Sequence, residues 1–379
     1  MSKERTGVVI KILGIMVVMA VLFACANPAG SGTNPSTNTS TKSVVSAVYA
    51  GGYCTNSTGE IFAGYWKNGT WTELTNPYSA SKDAYVLSIV ISGSDVYAGG
   101  YCFNASGLGI AGYWKNGTWV VLTNNYGSYG AEVVSLAVSG TDVYAGGICY
   151  NNFIQESGYW KNGIWVALPN PYSTTYGTHL DSLVVSGSDV YACGYCWNSS
   201  WVEMGGYWKN GGWVALTTPS GTSVNTEATA IAVSGSDVYV SGGYTAGTSY
   251  TNIVSAGYWK DGIWSGLSNG YGSSNATQAC SIIESGSDLY VGGMCNNGMG
   301  VNYSGYWKDG AWQDLNLNGE GIASITSLVI NGSDVYASGP CYISPRYTAG
   351  YWDGYWWHSL TNPYGSYVSQ VNSLELSFE

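Results

Sequence analysis

A short aromatic segment that recurs seven times constrains the fold more than any other feature of the sequence. Six copies of the form GYWK-(N/D)-G-x-W begin at residues 64, 112, 158, 206, 257 and 305, and a shortened copy, GYWDGYW, begins at residue 350. Successive copies start 45 to 51 residues apart. This period indicates an array of similar units that bury their apolar faces only by stacking on one another.

A second segment, SGSDVYAGG with close variants, alternates with the first along the chain. Full copies lie at 92–100, 139–147, 186–194, 234–243, 285–293 and 331–339, and a partial copy lies at 46–52. Together the two segments predict four antiparallel strands per repeat, named A to D. In one repeat these are residues 86–91, 96–100, 111–115 and 118–122. The Asn-Gly or Asp-Gly pair between C and D is typical of a type I′ turn, and the last such pair is Asp353-Gly354.

Four strands in a repeat of this length are typical of a propeller blade. The repeats open with a B-like strand at 45–52 and end with an A-like strand at 371–376. We therefore predict an all-β, seven-bladed β-propeller over residues 44–379. In it the N-terminal strands B, C and D pair with the C-terminal strand A. This closure removes the open sheet edges that would template aggregation.

Two columns of tryptophan support face-to-face packing of the blades. Because side chains alternate along a strand, large rings on both faces of a blade must both be covered. We interpret the columns as structural. They are Trp66, Trp114, Trp160, Trp208, Trp259, Trp307 and Trp352, and Trp71, Trp119, Trp165, Trp213, Trp264, Trp312 and Trp356.

The order of Gly99-Gly100, Tyr113 and Trp119, which the other repeats share, resembles the kelch repeat. The resemblance covers residues 44–379. It departs from the kelch pattern at Trp114, where kelch repeats usually carry Asp. The resemblance implies a propeller that binds partners through loops on one face, and it carries over no catalytic residue.

The first 43 residues predict export and anchoring. Lys3 and Arg5 precede an apolar stretch that ends in Leu22-Phe23-Ala24-Cys25, which resembles a bacterial lipobox. We expect a signal peptide at 1–24, lipidation of Cys25 and a flexible tether at 25–43, because 26–43 is rich in Pro, Gly, Ser, Thr and Asn. The chain would then be anchored in the bacterial cell envelope, periplasmic or surface-exposed. An ordinary signal peptide and an uncleaved anchor are the alternatives.

The charge of the chain narrows the function classes. Charged residues make up 9% of the chain and the net charge is −11, so it would repel a phosphate backbone. With two histidines, His179 and His358, and no Gly-rich phosphate loop or nucleophile elbow, the sequence gives enzyme activity little support. We expect no nucleic-acid partner, no cofactor, no metal and a monomer.

We predict the functional face from the loops. The A–B and C–D turns are uniform, whereas the B–C and D–A loops vary and are rich in Tyr, Asn, Ser and Gly, a composition typical of recognition loops. Drift in unconstrained loops is the alternative. On the B–C loops, Trp197, Trp201 and Tyr250 are the predicted exposed aromatics for stacking on sugars or peptides.

A ring of polar residues is expected at the mouth of the propeller, because each lies at the start of an innermost strand A. Glu132, His179 and Glu227 come from consecutive blades and could bind a cation or a polar ligand, or act as acid and base. A hydrated polar mouth is the alternative. The ring consists of Tyr85, Glu132, His179, Glu227, Gln278, Ser324 and Gln370.

Eight cysteines follow Cys25. Six share one repeat position and should not pair, because stacked sheets lie about 10 Å apart and a disulfide needs Cα atoms within about 7 Å. Cys280 comes close to Cys295 across the predicted A–B hairpin, so a disulfide between them is possible. The six are Cys54, Cys102, Cys149, Cys196, Cys295 and Cys341, and Cys193 is the remaining one.

The leading functional hypothesis is a lipid-anchored propeller that binds protein or glycan through the B–C and D–A loops. A glycan-active hydrolase with its site at the mouth is the second hypothesis. A structural envelope protein is the third.

Overall fold

The computed structural model describes residues 42–78, 83–124, 126–127, 129–151, 154–221, 224–245, 255–272, 277–299, 301–315, 324–343, 346–365 and 367–379. The predicted signal peptide, Cys25 and most of the predicted tether lie outside these ranges. Lys42 and Ser43, at the end of that tether, contact the seventh blade: Ser43 N donates to Asn331 Oδ1 at 3.0 Å and Lys42 pairs with Asp334. In the ranges above, no helix has the length and hydropathy needed to cross a membrane.

The described chain forms seven sheets of four antiparallel strands, each in the predicted order A, B, C, D. The A strands are β4 (Ala84–Ser92), β8 (Ala131–Ser139), β12 (Thr178–Ser186), β16 (Asn225–Ser234), β20 (Thr277–Ser285), β24 (Ser327–Asn331) and β28 (Ser369–Phe378). The B strands are β1 (Val45–Thr55), β5 (Asp95–Phe103), β9 (Asp142–Asn151), β13 (Asp189–Trp197), β17 (Asp237–Thr245), β21 (Asp288–Asn296) and β25 (Asp334–Ile343). The C strands are β2 (Ile61–Lys67), β6 (Gly109–Lys115), β10 (Ile154–Lys161), β14 (Glu203–Lys209), β18 (Ser255–Lys260), β22 (Asn302–Lys308) and β26 (Arg346–Trp352). The D strands are β3 (Thr70–Glu73), β7 (Thr118–Val121), β11 (Ile164–Ala167), β15 (Gly212–Ala215), β19 (Ile263–Gly266), β23 (Ala311–Asp314) and β27 (Trp357–Ser359).

The ring closes as predicted. Blade 1 consists of β28, β1, β2 and β3, and blades 2 to 7 follow in chain order. Strand β28 pairs with β1 from Val45 opposite Phe378 to Cys54 opposite Ser369. The A strands of neighbouring blades contact each other in all seven pairs, so they surround the central axis. The B–C and D–A loops therefore share one end of the ring, the loop face, and the A–B and C–D turns form the opposite turn face.

A β-bulge interrupts pairing at the same place in six of the A strands. At four blades the side chain at this position donates a hydrogen bond to the backbone of the next blade, which links the sheets near the axis. These bonds run from Thr229 Oγ1 to Ala279 O (2.9 Å), Cys280 Sγ to Ile325 O (3.1 Å), Thr326 Oγ1 to Val371 O (3.0 Å) and Asn372 Nδ2 to Val86 O (2.7 Å).

The first tryptophan column forms the contact between blades. Six of its rings are fully buried, and each indole N–H donates to a carbonyl in the loop that leaves the preceding blade. Trp114 Nε1 donates to Thr75 O at 3.0 Å, and Trp66 Nε1 makes the same bond to Thr361 O, at 2.9 Å, across the closure. A buried indole needs such a partner, so each bond fixes both a core ring and a loop.

The seventh C–D connection differs from the prediction. Six connections are the predicted two-residue turns, with Asn or Asp at φ 49–52° followed by Gly at φ 80–85°. The seventh is a longer turn, in which the Asp353 carboxylate accepts from the backbone N–H groups of Tyr355 and Trp356. Trp356 is 69% exposed, and Trp357 instead pairs with Trp352 as Trp71 does with Trp66. Placing Trp356 in the second column was therefore wrong.

The possible disulfide between Cys280 and Cys295 is not formed. All eight described cysteines are free and buried. Cys280 occupies the bulge of β20, and its sulfur faces the Ile325 carbonyl of the next blade, whereas Cys295 lies opposite Thr277. The bulge, which the hairpin argument did not anticipate, places the Cys280 sulfur against the carbonyls of Gly292 and Ile325 and not against Cys295.

Lysines on the turn face are paired, not merely solvated. Five of them bind the aspartate that begins strand B of their own blade and lie about 5 Å over the centre of a tyrosine ring. The ion pairs are Lys115–Asp95, Lys161–Asp142, Lys209–Asp189, Lys260–Asp237 and Lys308–Asp288, with N–O distances of 2.6–3.1 Å. These cations are thus neutralised at the turn face.

Candidate binding site at the mouth of the propeller

The predicted polar ring lies at the loop-face end of the A strands, which we call the mouth. In blade 3, half-buried Glu132 alternates with buried Ala131 and Val133. Blade 4 repeats the pattern at His179 and blade 2 at Tyr85. The pleat therefore places these side chains on the opposite face of the sheet from the buried residues that flank them in the strand.

His179 is the centre of the charged part of the mouth. Its Nε2 lies 3.3 Å from Asp181 Oδ1, and its Nδ1 lies 2.6 Å from Gln155 Nε2 on blade 3. The Tyr195 ring stacks on the imidazole at 4.9 Å between ring centres. With the amide nitrogen donating to Nδ1, the histidine proton sits on Nε2, where Asp181 accepts it. Three contacts therefore fix the orientation of the imidazole.

The surrounding carboxyls determine the protonation of His179. Burial favours the neutral ring, but the negative charges of Asp181, Glu132 and Glu227 outweigh it and raise the pKa of His179. Burial likewise raises the pKa of Asp181, although His179 opposes this. We call Glu132, His179, Asp181, Glu203 and Glu227 the acidic sector.

Glu227, on blade 5, has a pKa that is raised to near neutral pH. Burial, together with repulsion from Glu203 and Asp181, raises the pKa of Glu227 to about 7, and His179 offsets only part of this. Burial also raises the pKa of Glu203, which begins strand β14 opposite Trp197. The backbone N–H of Glu203 donates to Asn225 Oδ1 of blade 5 at 3.1 Å. The sector thus spans the interface between two blades.

Glu132, from blade 3, completes the sector from the other side. Burial raises the pKa of Glu132, opposed by His179. Its charge in turn helps to raise the pKa values of Tyr101 and Tyr150, after burial. The Tyr101 side chain is 2% exposed and its hydroxyl has no hydrogen-bond partner. It is one of six buried hydroxyls without a partner among the described residues; the others are those of Ser157, Ser182, Thr245, Ser281 and Ser327. A buried hydroxyl without a partner calls for an explanation.

The remaining ring members have different neighbours. Tyr85 stacks on Tyr101 at 4.8 Å, and Gln370 accepts from the Tyr53 hydroxyl at 2.8 Å and donates to Asn372. Gln278 lies opposite Met294, and Ser324 precedes β24. The structure thus brings Glu132, His179 and Glu227 together and leaves the other four predicted residues outside the acidic sector.

Aromatic rings extend from the acidic sector to the rim of the loop face. Trp197 ends β13 and contacts Tyr195 edge to face at 4.9 Å. Trp201, on the same B–C loop, is 59% exposed and contacts Tyr176 edge to face at 4.7 Å. The predicted third aromatic, Tyr250, lies outside the described residues.

Trp201 adopts a backbone conformation that ordinarily belongs to glycine. Its φ is +60°, and Gly59 and Gly107 occupy the same place in the B–C loops of blades 1 and 2, at φ +83° and +76°. Bulky residues rarely tolerate this left-handed region. The fold therefore holds a large exposed ring where a smaller residue would be less strained.

The loops around the mouth are ordered by hydrogen bonds. In five D–A loops, an asparagine side chain accepts from the backbone N–H two residues on and donates to backbone carbonyls of the loop or of the neighbouring strand end. Asn170 Nδ2 donates to Tyr176 O, Gly177 O and Trp197 O, which ties the loop before blade 4 to the end of β13. These asparagines therefore fix the backbone of the D–A loops next to the strands they join.

Sequence reasoning missed Asp181, Glu203, Gln155 and Tyr101. A signal for Asp181 was present, since it is the only acidic residue at its repeat position, which precedes a serine in six repeats and Ala230 in the seventh. The other residues at this position are Leu87, Val134, Thr229, Cys280, Thr326 and Asn372. Among the described residues, no group of three His, Cys, Asp or Glu side chains has the arrangement to hold a metal ion. The sector can therefore supply negative charge, hydrogen bonds and proton exchange.

The fold and this site define a seven-bladed propeller with an acidic, aromatic-lined mouth. No protein-family model matches the chain, and no curated protein does. A Mycobacterium tuberculosis puromycin-hydrolyzing peptidase matches 90% of this chain and 57% of its own, with 13% identity and a TM-score of 0.53, which shows the propeller fold alone. Two other similar structures have lower scores. YCF48 bound to D1 peptide has 13% identity, coverage of 82% and 94%, and a TM-score of 0.44. A fucose-recognising lectin of Aleuria aurantia has 13% identity, coverage of 70% and 89%, and a TM-score of 0.39.

Proposed function

We propose that this chain is a kelch-like propeller, lipid-anchored through Cys25 in a bacterial cell envelope, that binds a glycan or protein ligand at its loop face. The observation that carries the proposal is the convergence of the acidic sector with Trp197 and Trp201 on one side of the mouth. Unlike charges on a solvated surface, the charged groups of the sector are half-buried or buried, and ring contacts and hydrogen bonds hold His179 and Trp197 in place. Preorganised polar groups beside aromatic rings are typical of ligand sites.

A glycan array and a pull-down with the full chain in detergent micelles test the binding. We expect Trp201→Ala and Glu227→Gln each to weaken the captured interaction at least tenfold. Ile263→Ala serves as the control, because Ile263 is 73% exposed on the turn face. A ligand whose affinity responds to Ile263→Ala and not to the mouth variants would contradict the proposal, and no ligand in either assay would favour a structural envelope role.

The anchoring has a separate test. Metabolic labelling with a palmitate analogue should mark the wild-type chain and leave Cys25→Ser unlabelled. Labelling that persists in Cys25→Ser would contradict lipidation at this residue.

A glycan hydrolase is the second candidate, and one observation favours it. A carboxyl whose pKa is raised to about 7, as for Glu227, beside a second carboxyl is the arrangement of a general acid with its partner. Glu132→Gln/Glu227→Gln should then abolish release of reducing ends from the glycans that the array identifies, while their binding persists. Binding without turnover in the wild-type chain would leave the binding function alone.

A further inference from the structure

We propose that the acidic sector recognises a protonated amine carried on a sugar, so that the ligand is an amino-sugar-containing glycan. This inference rests on the proposed binding function and specifies its ligand class. It follows from the distribution of charge, from one unpaired hydroxyl and from the aromatic rim.

Charge is separated between the two faces of the propeller. The mouth gathers the carboxyls of Glu132, Asp181, Glu203 and Glu227 around a single basic group, His179. Arg346, the one described arginine, begins β26 at the loop-face end of blade 7, which is not adjacent to blades 3 to 5. In the described part of the chain every lysine lies on the turn face, and most are already paired with aspartate. These lysines are Lys42, Lys67, Lys115, Lys161, Lys209, Lys260 and Lys308. The mouth therefore holds four carboxyls and one imidazole, and a cation bound there would favour the ionised forms of the carboxyls.

An organic cation fits the sector better than a metal ion. The carboxyls are not arranged as a metal-ligand group, as noted above for the described residues. Tyrosine rings lie close to the sector: Tyr195 stacks on His179, and Tyr85, which stacks on Tyr101, contacts Tyr53 edge to face. Aromatic rings attract ammonium groups. An ammonium also donates three hydrogen bonds in adjustable directions, which suits carboxyls that lie on separate blades.

The unpaired hydroxyl of Tyr101 is an independent sign of a ligand. It is buried beside Glu132, within range of that carboxyl's charge, and no protein group satisfies it. A polar ligand that reaches Glu132 would give this hydroxyl a partner. A sugar offers hydroxyl groups next to its amine, so one ligand could contact both residues.

The rim favours a sugar over a lysine side chain as the carrier of the amine. Trp201 presents a largely exposed indole, and the apolar C–H face of a sugar ring packs on such a surface. Backbone strain of the kind found at Trp201 clusters at functional sites, so we expect its indole ring to contact a ligand. A lysine side chain, which is flexible, would lose more conformational entropy on the same surface.

Calorimetric titration of the full chain in micelles at pH 7 and low ionic strength tests the inference. The ligands are a glucosamine trimer and its fully N-acetylated form, which differ in charge and share the sugar backbone. We expect the amino trimer to bind at least tenfold more tightly, and Glu132→Gln/Glu227→Gln to remove this preference. Trp201→Ala should weaken both ligands. Glu284→Gln removes a carboxyl from the turn face, where Glu284 accepts from Tyr239, and should change neither affinity.

The outcomes separate this inference from the proposed function. Equal affinities for the two trimers, or tighter binding of the acetylated trimer, would overturn it. Binding of a capped Gly-Lys-Gly peptide in preference to the amino trimer, lost in the Glu132→Gln/Glu227→Gln variant, would overturn the assignment to a sugar. If neither trimer binds but another glycan is captured in a Trp201-dependent manner, the inference fails and the proposed function stands. If none of the ligands binds, both this inference and the proposed binding function are contradicted.

Discussion

At the scale of single residues, Glu227 couples stability to ligand binding. Burial, together with repulsion from Glu203 and Asp181, makes its ionised form unfavourable in the folded protein, and His179 offsets only part of this. The folded state therefore holds the Glu227 proton more tightly than the unfolded state, in which the pKa is near 4.5. The contribution of Glu227 protonation to the free energy of unfolding is largest below pH 4.5 and decreases as the pH rises toward about 7. Above that pH it no longer changes.

Glu227→Gln should accordingly stabilise the protein at pH 8, because it removes a carboxylate whose ionised form is unfavourable in the folded state. We expect a gain of about 2 kcal/mol in unfolding free energy, less than the full pKa shift implies, because solvent screens part of the repulsion. At pH 4, where Glu227 is protonated in both states, the substitution should change the free energy of unfolding by less than about 0.5 kcal/mol. Urea denaturation at the two pH values measures both. The value at pH 4 is the internal control. A loss of stability in Glu227→Gln at pH 8 would show that the ionised Glu227 carboxylate is not unfavourable in the folded protein.

Trp201 allows a test of backbone strain. Its φ of +60° suits glycine, so Trp201→Gly should be more stable than Trp201→Ala by about 1 kcal/mol. Both variants lose the exposed indole and should bind ligand equally poorly. Urea denaturation of the pair measures the difference, and equal stability would mean that the loop relaxes out of the left-handed region.

Residues at repeat positions were predictable because each has seven parallel examples. The ring of Tyr85, Glu132, His179, Glu227 and Gln370 could be placed from its spacing before strand A. Asp181 and Glu203 could not be placed beside His179 from their spacing. Their proximity to His179 depends on a β-bulge and on the packing of blade 4 against blade 5. Trp357 was missed because a turn of altered length shifts the register by one residue.

At the scale of elements, the D–A loops are held by single asparagines. Asn170→Asp keeps the size of the side chain but replaces a donor with a carboxylate that faces three carbonyl oxygens. We expect a loss of about 2 kcal/mol in unfolding free energy and at least tenfold weaker ligand binding, because the loop supports Tyr176 and Trp197. Denaturation and calorimetry measure the two effects.

Asn362 provides a matched control for this loop. It also donates to three carbonyls, those of Thr55, Tyr367 and Val368, but it serves the loop before blade 1, away from the acidic sector. Asn362→Asp should cost similar stability and leave ligand affinity unchanged. Equal losses of affinity in both variants would mean that binding depends on the global stability of the ring.

At the scale of the whole molecule, the closure was readable from the sequence because it depends on which strands the chain ends contain. A missing strand A at one end and a surplus strand A at the other leave one arrangement that pairs every strand. Electrostatic asymmetry between the faces was harder to foresee. It depends on the turn-face lysines being paired, as Lys115 is with Asp95, and on the acids of the mouth lying on different blades.

The closure can be made covalent at Ser46 and Ser377, whose Oγ atoms lie 2.8 Å apart on β1 and β28. Ser46→Cys/Ser377→Cys should form a disulfide across 331 positions of sequence and raise the unfolding free energy by about 2–4 kcal/mol, because it restricts the unfolded chain most when the loop is long. Non-reducing gel mobility and urea denaturation with and without reductant measure both effects. Ser46→Cys alone is the control, and the eight buried cysteines should not compete for the new thiols. Because the two ends meet only in the closed ring, failure to oxidise would argue that blade 1 opens in solution and that the mouth is not a fixed site.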